Sequence, residues 1–231
     1  MNNQKNQWEE SYQKKDNFVF YPHEEVIRFF SKYINQRKGI DTFQKKHAEA
    51  GLPKVLDLGC GIGRHVIFSN DMQTDAYGVD LSESAVKFAI DWAKKEGISN
   101  PEEKILQSDI TKMPFQNNFF DFIISHGVLD SMSESNCRNS IIDTCRVLKP
   151  GGYFYCDLIS GDDSFHDPDF SGEEIVQDEH EKNTIQLYFN GNLIDNFFSK
   201  YFEIIENTLI KRTSITTDRY TSRYHLILRK K

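Results

Sequence analysis

The apolar residues of this chain follow two patterns. Five short apolar runs end in glycine or polar residues, as buried parallel strands do; they span residues 54–58, 76–80, 104–107, 119–125 and 153–159. Between these runs, apolar residues recur three and four positions apart, which predicts helices that pack by one face. Strands that alternate with helices over residues 53–159 predict an α/β fold with a doubly wound, mostly parallel sheet.

The flanking segments differ from this central region. Residues 1–50 are predicted to be helical, because Pro22 precedes apolar residues at helical spacing. Residues 161–182 are acidic and rich in turn residues, which indicates a loop or a small insertion. A helix is predicted over 192–201. Two strands, 202–211 and 219–229, follow with a short polar connection, so they can only pair antiparallel.

The length of 231 residues fits one α/β domain. We divide it into an N-terminal helical cap (1–50), a core that would bind a cofactor (51–159), and an insertion with C-terminal antiparallel strands (160–231). Together these elements predict a seven-stranded sheet with an antiparallel strand near its C-terminal end.

Charge and composition limit the kinds of partner and cellular location that we expect for this chain. The formal net charge is −7, which disfavours a nucleic acid. The one dense basic stretch, residues 211–231, is interpreted as solvated strand faces; a substrate-facing or nucleic-acid patch is the alternative. The polar first residues predict no secretory signal, and no apolar run reaches the roughly 20 residues that span a bilayer. Four cysteines without CxxC spacing and seven scattered histidines predict a cytoplasmic, disulfide-free protein without a metal.

The most informative motif is VLDLGCGIGRH, which joins the first strand to the following helix at residues 55–65. Glycines at such a turn can adopt positive φ and let a ligand approach the backbone, and the helix N-terminus favours an anion. A dinucleotide fingerprint, GxGxxG, would need a glycine at Arg64 or Val66, so that alternative fails.

The motif resembles the first motif of class I S-adenosylmethionine methyltransferases, an acidic residue followed by xGxGxG. Asp57, Gly59, Gly61 and Gly63 fill it, and Cys60 lies within the loop. The resemblance implies a Rossmann-like methyltransferase fold, S-adenosylmethionine as the methyl donor and S-adenosylhomocysteine as the product. It also implies that the loop holds the methionine moiety, and that Asp57 orders the loop or binds the amino group through water.

Further motifs follow at successive strand ends. Asp80 ends the second strand and would accept hydrogen bonds from the ribose hydroxyls, with Leu81 against the adenine; a helix cap is the alternative for Asp80. The resemblance assigns Asp109 to the adenine amino group and Ile110 to the ring. A simple turn is the alternative for Asp109.

The fourth strand ends in Ser125 and His126, which the fold would place beside the sulfonium. The segment RVLKPGG at residues 146–152 also looks like a turn of the family. The resemblance covers residues 53–159 strongly, and it extends more weakly to the last strand, 224–230.

Two residues are candidates for catalysis. His126 could act as a base or orient the acceptor, and the alternatives are a polar contact to the cofactor or a histidine satisfied near the core. Asp130 could meet the acceptor, although a cap for the helix that starts near Ser133 is slightly favoured. Both hypotheses concern the end of the fourth strand.

The N-terminal segment resembles the mobile lid of small-molecule methyltransferases. Tyr12 and Tyr21 are the expected contacts, and packing of aromatic residues on the sheet is the alternative. Arg64 could touch the methionine carboxylate or could lie exposed.

The leading functional prediction is a small-molecule methyltransferase. The tetrapeptide SHGV at residues 125–128 differs from the NPPY-like sequence of enzymes that methylate base amines. A protein methyltransferase stays open, because the acidic segment 161–180 could receive a basic partner. A non-catalytic protein that binds S-adenosylmethionine or S-adenosylhomocysteine is a third class. The acceptor atom and the oligomeric state stay open.

Overall fold

A seven-stranded sheet forms the centre of the computed structural model, which describes residues 2–47, 51–167, 169–177 and 184–231. The helices are α1 (Asn2–Lys14), α2 (Glu24–Phe29), α3 (Arg64–Asp71), α4 (Glu83–Lys95), α5 (Pro101–Lys104), α6 (Glu134–Val147) and α7 (Gly191–Phe198), with a π-helical turn at Phe30–Ile34. The strands are β1 (Asn35–Arg37), β2 (Phe43–Lys45), β3 (Lys54–Leu58), β4 (Asp75–Asp80), β5 (Ile105–Gln107), β6 (Phe120–Ser125), β7 (Leu148–Ile159), β8 (Gly172–Ile175), β9 (Ile185–Tyr188), β10 (Phe202–Ser214) and β11 (Arg219–Lys230).

The order of the central sheet is β10-β11-β7-β6-β3-β4-β5. Strand β3 pairs parallel with β4 on one side and with β6 on the other, and β11 pairs antiparallel with both β7 and β10. The strand order therefore switches direction between β3 and β6, where an open α/β sheet forms its ligand crevice. The predicted doubly wound sheet with one antiparallel C-terminal strand is confirmed.

Apolar side chains cover both faces of this sheet. On one face, Leu56 and Ile123 pack with residues from α6 and α7; on the other, Val55 and Tyr155 pack with Phe29 of α2. Strands buried on both faces explain why the runs are apolar at consecutive positions. Among the described residues, no helix is both long and apolar enough to cross a bilayer.

The prediction of a helical segment over residues 1–50 is correct only in part. After the π-helical turn, β1 and β2 form an antiparallel hairpin. The Asn35 amide donates to the carbonyls of Met72 (2.8 Å) and Gln73 (3.2 Å), which ends the helix by tying the chain to the end of α3. The last residues of the predicted segment, 48–50, lie outside the described residues.

The acidic stretch 161–182 also contains regular structure. Strand β8 lies within it and pairs antiparallel with β9. The expectation of a loop or small insertion is therefore refined to an insertion that holds a short β-ladder, and residues 168 and 178–183 lie outside the described part of the chain. The burial pattern of β8 explains why sequence periodicity did not find it, since most of its residues are exposed.

Helix α1 is fixed to the start of α4 by Glu9. Its carboxylate accepts from the Ser82 hydroxyl (2.7 Å), the Ser84 amide (3.2 Å) and the Ser84 hydroxyl. Burial opposes ionisation of Glu9, but the hydrogen bonds from Ser84 and Ser82 outweigh it and lower the pKa of Glu9 to about 2. A carboxylate at a helix N-terminus is favourable, so Glu9 holds α1 beside the sheet edge.

We expect Glu9→Gln to loosen α1 while leaving the sheet intact, since loss of a capping side chain costs about 1 kcal/mol. Amide hydrogen exchange should accelerate in α1 and hardly change in β3 or β6. The control is Glu10→Gln, because Glu10 is exposed and contacts Lys14 of its own helix. Equal exchange in the two variants would contradict the role of Glu9.

Candidate functional site

A cavity of about 450 Å³ opens at the carboxyl ends of the parallel strands, under α1. Ten of the fifteen residues predicted for the site line it: Tyr12, Gly59, Cys60, Gly61, Arg64, Asp80, Leu81, Asp109, Ile110 and His126. The other five, which lie outside the lining, are Tyr21, Asp57, Gly63, Ser125 and Asp130. The structure therefore brings together residues from the ends of four strands and from the N-terminal helix.

The glycine turn is shaped by two close approaches. Gly61 has φ of +53°, and a Cβ there would lie 2.5 Å from the Tyr12 hydroxyl, so α1 closes directly over the loop. Gly63 has φ of +92°, and a Cβ there would lie 3.0 Å from the Ala89 side chain of α4. Gly61 thus leaves room at the cavity, whereas Gly63 lets α3 and α4 pack together.

Asp80 presents a buried carboxylate at the end of β4. Its oxygens accept from the backbone amides of Gly61 (2.8 Å) and Ser82 (2.9 Å). Burial raises the pKa of Asp80 to about 6, against the opposing effect of these two hydrogen bonds. Each oxygen keeps a further lone pair, so the group can accept from a ligand diol. The side chain that caps α4 is Ser82, which accepts from the Ala85 amide at 3.1 Å.

Asp109 and Ile110 lie on the next loop, after β5. One Asp109 oxygen accepts from the Thr111 amide at 2.8 Å, as in the turn that was the alternative for this residue, and the side chain also lines the cavity. Ile110 is buried and, with Leu81, gives this end of the cavity apolar walls. The arrangement suits a flat aromatic ring with a polar edge.

Asp57 and Ser125 lie behind the glycine turn on neighbouring strands. Both are buried, and neither Asp57 Oδ2 nor Ser125 Oγ has a hydrogen-bond partner within the described part of the chain. The other Asp57 oxygen is 3.7 Å from His65 Nδ1. A buried acceptor without a donor is costly, so this corner fits a ligand ammonium group or a bridging water.

His126 lies between cationic, anionic and aromatic neighbours. Its Nδ1 is 3.3 Å from Arg64 Nη2, its Nε2 is 3.6 Å from Asp157, and its ring centroid is 4.1 Å from that of His23. Burial lowers the pKa of His126 to about 3, although Asp157 opposes the shift. Because a guanidinium can only donate, Nδ1 accepts from Arg64, and the imidazole is neutral.

A match to a known protein family identifies the family of this chain. Residues 51–218 match the model of a methyltransferase domain. The chain belongs to the class I S-adenosylmethionine-dependent methyltransferases. It uses S-adenosylmethionine as its methyl donor, so the glycine turn, Asp80 and the walls beyond them belong to the cavity of a methyl-transferring enzyme.

Individual relatives agree with this family. This methyltransferase is 27% identical over 207 residues to the putative methyltransferase YqeM of Bacillus subtilis, covering 75% of the chain and 81% of the relative. It is 36% identical over 105 residues to the sterol 24-C-methyltransferase ERG6B of Gibberella zeae, covering 44% of the chain but 26% of that enzyme. A solved S-adenosylmethionine-dependent methyltransferase from Methanosarcina mazei superposes with a TM-score of 0.62 at 20% identity, covering 79% and 94% of the two chains, which shows the shared fold.

Two predicted site residues of this methyltransferase lie elsewhere. Asp130 is buried and accepts from Arg223 and from the Ile159 amide (2.7 Å), so it neither faces the cavity nor caps α6. Ser133 is the N-cap of α6. Tyr21 is 82% exposed, and only its carbonyl contacts the site, at 3.4 Å from Arg64.

Three residues of the site were missed from the sequence. Glu9 holds α1, as described above. Asp157 accepts from the Gly127 amide (2.7 Å) and from Arg223 Nε (2.8 Å), so it fixes the end of β6 from behind. A lone aspartate inside the apolar run 153–159 was a signal for Asp157, because a buried charge needs a partner. Nothing in the sequence identified Arg223 as that partner.

The neutral state of His126 gives a testable titration. We expect the imidazole resonances of His126 to show no protonation between pH 5 and 9 in NMR spectra. His166 is the control, because the hydrogen bonds that it donates to the carboxylates of Asp163 and Glu174 raise its pKa in spite of burial. A His126 that titrates near its ordinary pKa would contradict this environment.

The low pKa of His126 also predicts how the stability of the folded protein depends on pH. The folded pKa is below the unfolded value, so only the unfolded chain gains a proton as pH falls through about 6.5. Stability should therefore decrease from that pH down towards about 3.

Proposed function

We propose that this methyltransferase methylates a small molecule enclosed between its glycine turn, His126 and α1. The observation that carries the proposal is the cover formed by α1, since Trp8 and Tyr12 both line the cavity. A volume of about 450 Å³ belongs to the range of small-molecule sites. A folded protein or a nucleic acid would have to displace α1 and the contacts of Glu9.

The roles of the residues follow from their positions. When bound, S-adenosylmethionine supplies an electrophilic methyl group on its sulfonium. Asp80 would accept from the ribose hydroxyls, Asp109 and Ile110 would bind the adenine, and Asp57 would receive the amino group. Arg64 and His126 would orient the acceptor for attack on the methyl group, while Tyr12 would exclude water.

The distribution of basic residues also supports a small acceptor. In the basic stretch 211–231, Lys211 pairs with Asp162, and Arg229 pairs with Glu203. Arg223 is bound to buried carboxylates. These cations are neutralised one by one rather than gathered on one face, so they offer little to a phosphate backbone. The four cysteines are free, which supports a cytoplasmic location.

To test this proposal, the protein is incubated with methyl-labelled S-adenosylmethionine and a cell extract. Dialysis then separates the small molecules from the proteins, and the label is counted in each fraction. We expect label in the dialysable fraction, and binding of S-adenosylhomocysteine by calorimetry. Label confined to the protein fraction would identify a protein methyltransferase. Cofactor binding without transfer to either fraction would identify a non-catalytic binding protein.

A further inference from the structure

The charged groups of the cavity are unevenly distributed. The carboxylates that line it, Asp80 and Asp109, belong to the ribose and adenine end. Beside His126 lies the cation Arg64, which is largely buried and forms no ion pair with any carboxylate in the described ranges. Burial lowers the pKa of Arg64 below its ordinary value, although the nearby carboxylates of Asp57 and Asp157 oppose the shift, because no carboxylate is hydrogen-bonded to the buried guanidinium in the described ranges.

Among the described residues, no histidine at this end of the cavity is a free base. Asp57 keeps an oxygen without a hydrogen-bond partner, but it lies outside the cavity lining, behind the glycine turn. His126 Nδ1 accepts from Arg64, His65 Nε2 accepts from the His23 amide (3.2 Å), and His23 Nδ1 accepts from the Glu25 amide (3.3 Å). Asp157 lies behind His126 and is bound by Arg223. Within the described lining, an ammonium or hydroxyl acceptor at this end would therefore meet a cation and no free group that could take its proton.

From these contacts, and on the basis of the small-molecule function proposed above, we propose that the acceptor is an apolar carboxylic acid that is methylated as its carboxylate anion. Arg64 has five N–H groups, and Tyr21 and His126 use two of them, so three remain, which is enough for a forked pair of hydrogen bonds to a carboxylate. Val19 and Trp8 provide apolar walls for the rest of the molecule.

The reaction balances without a base. A lone pair of the carboxylate oxygen forms the new O–CH₃ bond, and the S–CH₃ bond breaks with its electron pair passing to sulfur. The sulfonium becomes a neutral thioether, the carboxylate becomes a methyl ester, and no proton is released. An amine or alcohol acceptor would instead release one proton for each turnover.

Arg64 has one competing role, which is to bind the methionine carboxylate of the cofactor. The two roles differ in what the loss of Arg64 changes. If Arg64 serves the acceptor, Arg64→Gln impairs transfer and leaves the affinity for S-adenosylhomocysteine nearly unchanged. If it serves the cofactor, that affinity falls by the same factor as transfer.

The experiment compares small molecules that share the same apolar part and differ only in the polar group that could accept the methyl. Apolar monocarboxylates, their primary amides, and the corresponding alcohols, amines and thiols are incubated with the full chain and methyl-labelled S-adenosylmethionine. We expect label in the carboxylates alone, as a product that releases labelled methanol in alkali, with no proton release in a pH-indicator assay. Methylation of the amines, alcohols or thiols in place of the carboxylates would overturn the inference and leave the small-molecule function standing.

Two variants of Arg64 complete the test. Arg64→Gln should lower kcat/KM for the carboxylate by about 10- to 100-fold, the range for loss of a charged hydrogen-bonding group. Arg64→Lys should recover part of it, because the charge remains and the fork is lost. Binding of S-adenosylhomocysteine to each variant reports that it is folded. An equal loss of that binding would overturn the role of Arg64, whereas label found only on proteins would refute the small-molecule function itself.

Discussion

Replacement of Arg223 by methionine should destabilise the protein by about 3–5 kcal/mol, the range for a buried ion pair that loses one partner. Arg223 Nε donates to Asp157 at 2.8 Å, and its Nη2 pairs with Asp130. Both carboxylates are buried, and Asp157 stays ionised because Arg223 overcomes the effect of its burial and holds its pKa below the ordinary value. The variant leaves two buried acids without a cation.

Chemical denaturation measures this effect. The control is Arg229→Met on the same strand, whose ion pair with Glu203 is exposed and should contribute little. Combining Arg223→Met with Asp130→Asn and Asp157→Asn should recover much of the loss, because no uncompensated charge remains. Similar losses in the Arg223 and Arg229 variants would contradict the importance of the buried network.

The largest effect on ligand binding is expected at Asp80. Asp80→Ala removes the carboxylate proposed for the ribose hydroxyls, and each hydrogen bond to a charged group contributes about 1.5–3 kcal/mol. The Kd for S-adenosylhomocysteine should therefore rise by about 100-fold or more. Calorimetry measures this, and Asp91→Asn on the exposed face of α4 is the control. An unchanged Kd in the Asp80 variant would show that the ribose lies elsewhere.

The pH dependence of binding provides a second readout for Asp80. Burial raises the pKa of Asp80 to about 6, so the group is an ionised acceptor above that pH and gains a proton below it. Affinity for S-adenosylhomocysteine should fall as pH is lowered through about 6. Asp80→Asn cannot ionise and should bind weakly without this dependence. A wild-type affinity that is constant between pH 5 and 8 would contradict the environment described for Asp80.

The sequence predicted those parts of the site that are local in the chain. A glycine turn, the acid that precedes it and the acid at the next strand end depend on short segments, so Asp57, Gly61 and Asp80 could be placed in a turn or at a strand end from their neighbours alone. The alternation of strands and helices likewise predicted the doubly wound sheet, because each strand needs a helix to return.

The remaining features depend on contacts between distant segments. Asp130 looked available because nothing near it in sequence binds it, but its partner Arg223 is 93 residues away. Tyr21 seemed a lid contact because of its residue type, yet its side chain points into solvent. Glu9 accepts hydrogen bonds from Ser82 and Ser84 at the start of a helix more than seventy residues later. No periodicity encodes such pairs, since they arise from how β11 and α1 dock.

The position of Arg223 has a consequence for synthesis on the ribosome. The strands that carry the glycine turn, His126 and Asp157 are made first, and the guanidinium that neutralises Asp157 follows 66 residues later. A nascent chain that has completed β7 therefore holds two acids that it cannot yet bury. We expect the loop after β6 to become ordered only when β11 pairs with β7. Until β11 has been synthesised, the part of the cavity that His126 lines would therefore stay disordered.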